Sequence, residues 1–94
     1  MTVTKENKVF LEGLIEYYIS EAQSYREMAQ EYSLKIDSVP DTTFGIIIVC
    51  IYSSFLQTYS NQKLTPTVQD VQEFTEIIMM KSSAIMDAIK GQNN

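Results

Sequence analysis

Glu12 and Glu16 stand four residues apart, and Asp70, Glu73 and Glu76 recur every three, so on helices each set of carboxylates falls on one face. Such a cluster has the oxygen donors that a hard cation takes. A carboxylate pair works as acid and base only where a pocket pushes its two pKa values apart, and spacing alone specifies no pocket. The same spacing describes a solvated helix face, with Asp70 and Glu73 also favoured by the dipole of a helix that starts just before them. The chain has no histidine. That removes Ser-His-Asp and Cys-His nucleophiles, His-rich zinc sites and the Glu-x-x-His ligands of di-iron bundles. Cys50, the single cysteine, lies between Val49 and Ile51. It has no partner for an internal disulfide or a multi-thiolate zinc site, and reads as a small buried hydrophobe. Gly13, Gly45 and Gly91 are isolated, so no phosphate-cradling loop is present. The chain is therefore not expected to be an enzyme, and no catalytic, cofactor-binding or metal-ligating residue is nominated.

Composition narrows the partners. The net charge of −5 offers no basic surface to neutralise phosphates, which excludes direct nucleic-acid binding as an expectation. Apolar residues make up 45% of the chain and charged residues 20%, a globular balance. The start, MTVTKENKVF, has no basic segment followed by an apolar stretch and a cleavage site, and with one cysteine the chain suits a reducing cytoplasm.

The elements that position these residues are helices. Leu11, Ile15, Tyr18, Ala22, Tyr25, Ala29, Tyr32 and Ile36 alternate by four and three, which predicts one long amphipathic helix over 5–36, capped by Thr4 and ended by Val39 and Pro40. A second helix is expected over 41–60, with Asp41 as its cap. Its β-branched run Ile46 to Ile51 has strand propensity, but no other segment offers a pairing edge. The dense apolar part, Phe44 to Leu56, would rise only about 20 Å as a helix, against a hydrocarbon core of about 30 Å, so no membrane span is expected. A third helix over 66–90 opens at Thr65 and Pro66, or at Thr67 with Asp70 three residues on, and stops at Lys90 and Gly91. Its seam is Val68, Val71, Thr75, Ile78, Ser82, Ile85 and Ile89. Met79, Met80 and Met86 fit core filling, the favoured reading, or adaptable protein binding.

The fold class is thus all-α, a single domain over 1–94 built as a three-helix up-down-up bundle. Two surpluses of apolar surface point to a partner: the N-terminal part of helix one is apolar around most of its circumference, and the central helix is apolar on nearly every side. A homodimer buries both at once, through Phe10, Leu14, Tyr17, Ile46 and Phe55. In the monomeric alternative, residues 1–12 fold back at Gly13. The leading function is a non-catalytic protein interaction module, acting as a homo-oligomer and serving as adaptor, assembly subunit or small chaperone. An acidic inhibitor of a nucleic-acid-binding protein, or a bundle that binds a small molecule or lipid, are the alternatives. In outline alone, a bundle with Tyr59, Ser60 and Asn61 before its last helix resembles small bacteriocin immunity proteins; this acidic chain departs from them, and no site residue is carried over.

Overall fold

A computed structural model describes residues 3–91. Among these residues there are four α-helices and no strand: α1 (Lys5–Ser20), α2 (Ala22–Gln30), α3 (Val39–Asn61) and α4 (Val68–Lys90), with a single 3₁₀ turn at Ser33–Lys35. The expected count of three is corrected to four because the long first helix is broken at Glu21. That residue adopts φ −103°, ψ 9°, between the helical and extended regions. The Ser20 hydroxyl donates to the Tyr17 carbonyl at 2.6 Å, and this back-bond competes with the helical ladder at the break. The helical path then stops at Gln30, well short of residue 36. Ala22 and Ala29 are buried as the seam requires, but Tyr32 is 62% exposed and lies past the end of the packed face. Helix α1 runs straight through Gly13, so the fold-back of residues 1–12 at that glycine does not occur among the described residues.

The helix starts are set by hydroxyl caps. Thr4 Oγ1 accepts from the Asn7 amide at 3.1 Å. Ser38, not Asp41, caps α3 by accepting from the Asp41 amide at 3.1 Å, which starts the helix at Val39 and leaves Pro40 in the first turn, where its missing N–H costs nothing. Of the two candidates before α4, Thr67 is the cap: its hydroxyl accepts from the Asp70 amide at 3.0 Å, and Asp70 Oδ2 accepts from the Thr67 amide at 2.9 Å. Gly91, at φ 76°, closes α4. Between α3 and α4, Lys63 takes a left-handed conformation at φ 59°. This lets the Lys63 amide reach the Ser60 carbonyl and the Leu64 amide reach the Tyr59 carbonyl, each at 2.9 Å.

Helix α3 is the centre of the core. Thr43, Ile47, Ile51, Phe55 and Tyr59, each four residues from the last, form its buried stripe. Phe55 stacks on Tyr59 and on Phe74 with ring centroids 5.0 Å apart in both pairs. From α4 the buried side chains include Phe74, Ile77, Ile78, Ile85 and Ile89. The expected α4 seam is therefore turned by roughly 70° from the real one: Ile78, Ile85 and Ile89 lie inside, but Val68 is 74% exposed, and Phe74 and Ala88 take the places given to Thr75 and Ser82. The ends of the chain's helices are tied across the bundle. Gln23 Nε2 donates to the Ala88 and Ile89 carbonyls at 2.7 and 3.1 Å, and the Arg26 guanidinium donates to the Ile89 carbonyl at 2.9 Å, placing a positive charge at the C-terminus of α4.

The molecule extends 41 × 29 × 19 Å, so its shortest dimension is about two helix diameters. Two layers cannot surround a helix that is apolar on most sides. Only 22% of the most apolar 18-residue window of α3, with mean hydropathy 1.6, is buried within the chain. At 23 residues the helix is also ten longer than the dense apolar segment suggested, about 34 Å, so its length alone does not bar it from crossing a membrane.

Candidate interaction face

The buried stripe of α3 decides which of its residues are left outside. With Ile47, Ile51 and Phe55 turned inward, helical periodicity turns Ile46, Val49, Cys50 and Ser53 outward. Val49 is 63% exposed, and Ile46 and Cys50 are half-buried. On α1 the same geometry puts Phe10, Leu14 and Tyr17 on one flank, beside the buried Leu11 and Ile15. Phe10 is 46% exposed, Tyr17 is 54% exposed and Leu14 is half-buried against the core.

These two flanks adjoin. At one end, Phe10 shares a cleft of about 250 Å³ with Glu6 and Asn7 of α1 and with Thr58, Asn61 and Gln62 at the end of α3. The floor is a pair of side-chain amides that bond to each other in both directions, from Asn7 Nδ2 to Gln62 Oε1 at 3.2 Å and from Gln62 Nε2 to Asn7 Oδ1 at 2.9 Å. Further along, Tyr17 meets Tyr18 edge-on with centroids 5.1 Å apart, and Tyr18 meets Tyr25 at 5.5 Å. Burial pushes the Tyr25 phenol above its ordinary pKa, and Tyr18 and Cys50 push the same way, which places Cys50 of α3 beside the tyrosines of α1 and α2. Between Thr42 and Gln62 no residue of α3 carries a charge, so the flank can be desolvated at no ionic cost.

Of the five residues nominated from sequence, four belong to this face: Phe10, Leu14, Tyr17 and Ile46. Phe55 does not. It is wholly buried, enclosed by Tyr59 and Phe74, because the four-residue stripe of α3 turns it inward. Counting fours from Thr43 gives the buried stripe that contains Phe55, and Val49, two residues off that stripe, is the exposed apolar residue on the outer side of α3. Cys50, expected to be buried, is half-buried, as Leu56 is. Glu12 and Glu16 lie exposed on the far side of α1, as a solvated face requires.

A second polar cluster sits beneath the cleft. Tyr59 is buried, and burial first, then the charge of Asp70, push its phenol above the ordinary value, while a hydrogen bond with Asn7 opposes them. Glu73 Oε1 accepts from the Val3 amide at 3.1 Å, pinning the segment before α1 to α4. Among the described residues no group of three or more His, Cys, Asp or Glu side chains is arranged to hold a metal ion. No protein-family model, curated protein or solved structure matches this chain.

Proposed function

We propose that the chain is a non-catalytic protein–protein interaction module that works as a homodimer, in the manner of an adaptor or assembly subunit, and that the α1–α3 flank is where two copies meet. The observation that carries this reading is the exposed surface of α3. Within this 23-residue helix an 18-residue window has mean hydropathy 1.6 and only 22% of it is buried in the chain, Val49 is exposed on its outer side, and the exposed Phe10 lies beside the end of the helix.

A second copy suits the flank better than a bilayer does. Helices that lie in a membrane surface carry Lys and Arg on their polar face, and α3 has neither. Spanning would require Ile47, Ile51 and Phe55 to leave their places in the core and would carry Ser53, Gln57 and Ser60 into hydrocarbon. A two-fold contact, by contrast, sets apolar patch on apolar patch, with Glu6 at the edge beside Phe10. Sedimentation equilibrium of Tyr17→Glu and Val49→Glu tests the assignment. Both side chains are more than half exposed, so the variants keep the fold, and each should lower the association constant at least tenfold. Unchanged association in both would reject this face.

A further inference from the structure

The cleft at the edge of the α1–α3 flank, about 250 Å³ in volume, is lined by Glu6, Asn7, Phe10, Thr58, Asn61 and Gln62, and Glu6 is the one charged residue among them. Lys5 and Lys8 stand about 100° and 160° around α1 from Glu6, and neither they nor Lys63 line the cleft. The end of α3 that meets it is the negative end of a helix dipole, with no basic residue in its last turn. Its oxygens are already oriented. Asn7, 3% exposed, is held by the two amide bonds to Gln62 and by a hydrogen bond with Tyr59. Gln62 Oε1 takes one of these bonds and keeps a second lone pair for a ligand. The Thr58 hydroxyl gives its one proton to the Ser54 carbonyl at 3.0 Å, so toward the cleft it can only accept. From the lone carboxylate, these acceptors and the Phe10 ring we infer that the cleft is a binding site for a small primary amine, held as its ammonium ion on a short apolar body.

The lining narrows the ligand. An ammonium group has three N–H donors and no acceptor, and Glu6, Gln62 Oε1 and Thr58 Oγ1 offer it acceptors within one cleft. The negative face of the Phe10 ring attracts the same charge, while the ring itself covers the apolar body. An anion would meet Glu6 and a chain of net charge −5. A wholly apolar ligand would bury the amide and hydroxyl groups of the floor without partners. A metal ion lacks its ligands, since no three His, Cys, Asp or Glu side chains converge among the described residues. The volume equals that of about eight waters in the liquid, so the ligand is small. Each chain carries a whole cleft, so the site does not rest on the dimer.

The probe is phenethylammonium, titrated into the full chain at constant ionic strength and followed by NMR amide shifts. Shifts should centre on Glu6, Phe10 and Gln62 and saturate with a dissociation constant below about 10 mM, a modest efficiency for a ligand of this size. Glu6→Gln and Phe10→Leu, both at exposed side chains, should each weaken binding at least fivefold while leaving the circular dichroism unchanged. Phenylpropionate, a similar body ending in a carboxylate, should not bind. Val49→Glu, about 13 Å along α3 from Thr58, should leave binding unchanged, so the cleft and the dimer contact are tested apart. Failure to saturate, equal binding of phenylpropionate, indifference to Glu6→Gln, or loss of binding in Val49→Glu would each overturn the inference. Tighter binding of Nα-acetyl-lysine methylamide would also overturn it, because the guest would then be a lysine side chain of a protein.

Discussion

Asn7 and Gln62, 55 positions apart, form a closed amide pair in which each side chain donates to the other, at 3.2 and 2.9 Å. Asn7 is 3% exposed and Gln62 lies open to solvent. The pair joins the first turn of α1 to the end of α3 and forms the floor of the cleft beside Phe10. Loss of Asn7 removes a buried side chain that also hydrogen-bonds Tyr59, whereas loss of the solvent-exposed Gln62 leaves Asn7 that second partner. Asn7→Ala should cost about 1–2 kcal/mol, Gln62→Ala less than or close to 1 kcal/mol, and urea denaturation of both and of the double variant should show a coupling above about 0.5 kcal/mol. Strict additivity would mean the pair contributes nothing beyond its separate contacts.

Ala22 and Ala29 are each 1% exposed where α2 meets the rest of the bundle. Ala22→Glu or Ala29→Glu drives a carboxylate into a close-packed seam and should cost about 3 kcal/mol or more. Glu12→Ala, on the exposed side of α1, should change stability by less than about 0.5 kcal/mol. Thermal unfolding of the three variants side by side checks the contrast.

Lys63 holds φ 59° at the end of α3, a conformation that a side chain disfavours and glycine does not. Lys63→Gly should raise stability by about 0.5–1 kcal/mol, the relief at the left-handed position exceeding the entropy that glycine adds to the unfolded chain. A lower melting temperature in this variant would show that the lysine side chain makes a contact that outweighs its backbone.

Tyr59 titrates higher in the folded chain than in the unfolded one, because burial and the charge of Asp70 both oppose the phenolate. The stability it contributes is complete below the ordinary tyrosine pKa of about 10 and is lost as pH rises from there through the folded value. Denaturation midpoints should therefore fall above about pH 10, and Tyr59→Phe should fall less steeply over the same interval. Parallel slopes in the two proteins would assign the alkaline loss to other groups.

The helical class, the cap at Thr4, the stop at Gly91 and the passage of α3 through its β-branched run were legible because each rests on local chemistry or on long periodicity. The break at Glu21 was not, since the four-three spacing of Tyr18, Ala22 and Tyr25 continues across it unbroken. The deviation comes from the Ser20 hydroxyl and from the packing of α2 on its neighbours, and neither alters the apolar pattern. The α4 seam was misplaced for a related reason: Phe74 and Ile77 compete with Thr75 and Ser82 for the inside, and burying a phenylalanine outweighs an even four-three alternation. Of the five residues proposed for an interface, Phe10 and Tyr17 lie exposed and Leu14 and Ile46 half-buried, whereas Phe55 is wholly buried, because a helix apolar on every side gives no sign of which side the rest of the chain will take.

The flank on α1 and α3 is the surface on which the proposed function depends. Leu14→Asp is a poor probe of it, since Leu14 also packs on the core and its loss would unfold the chain as readily as separate two copies. The direct measurement is the mass of the unaltered protein by multi-angle light scattering, taken from micromolar upward. The account predicts about twice the single-chain mass of 10.8 kDa, with Val49→Glu returning the value to one chain at the same concentrations. A mass of one chain for the unaltered protein at every concentration would contradict it.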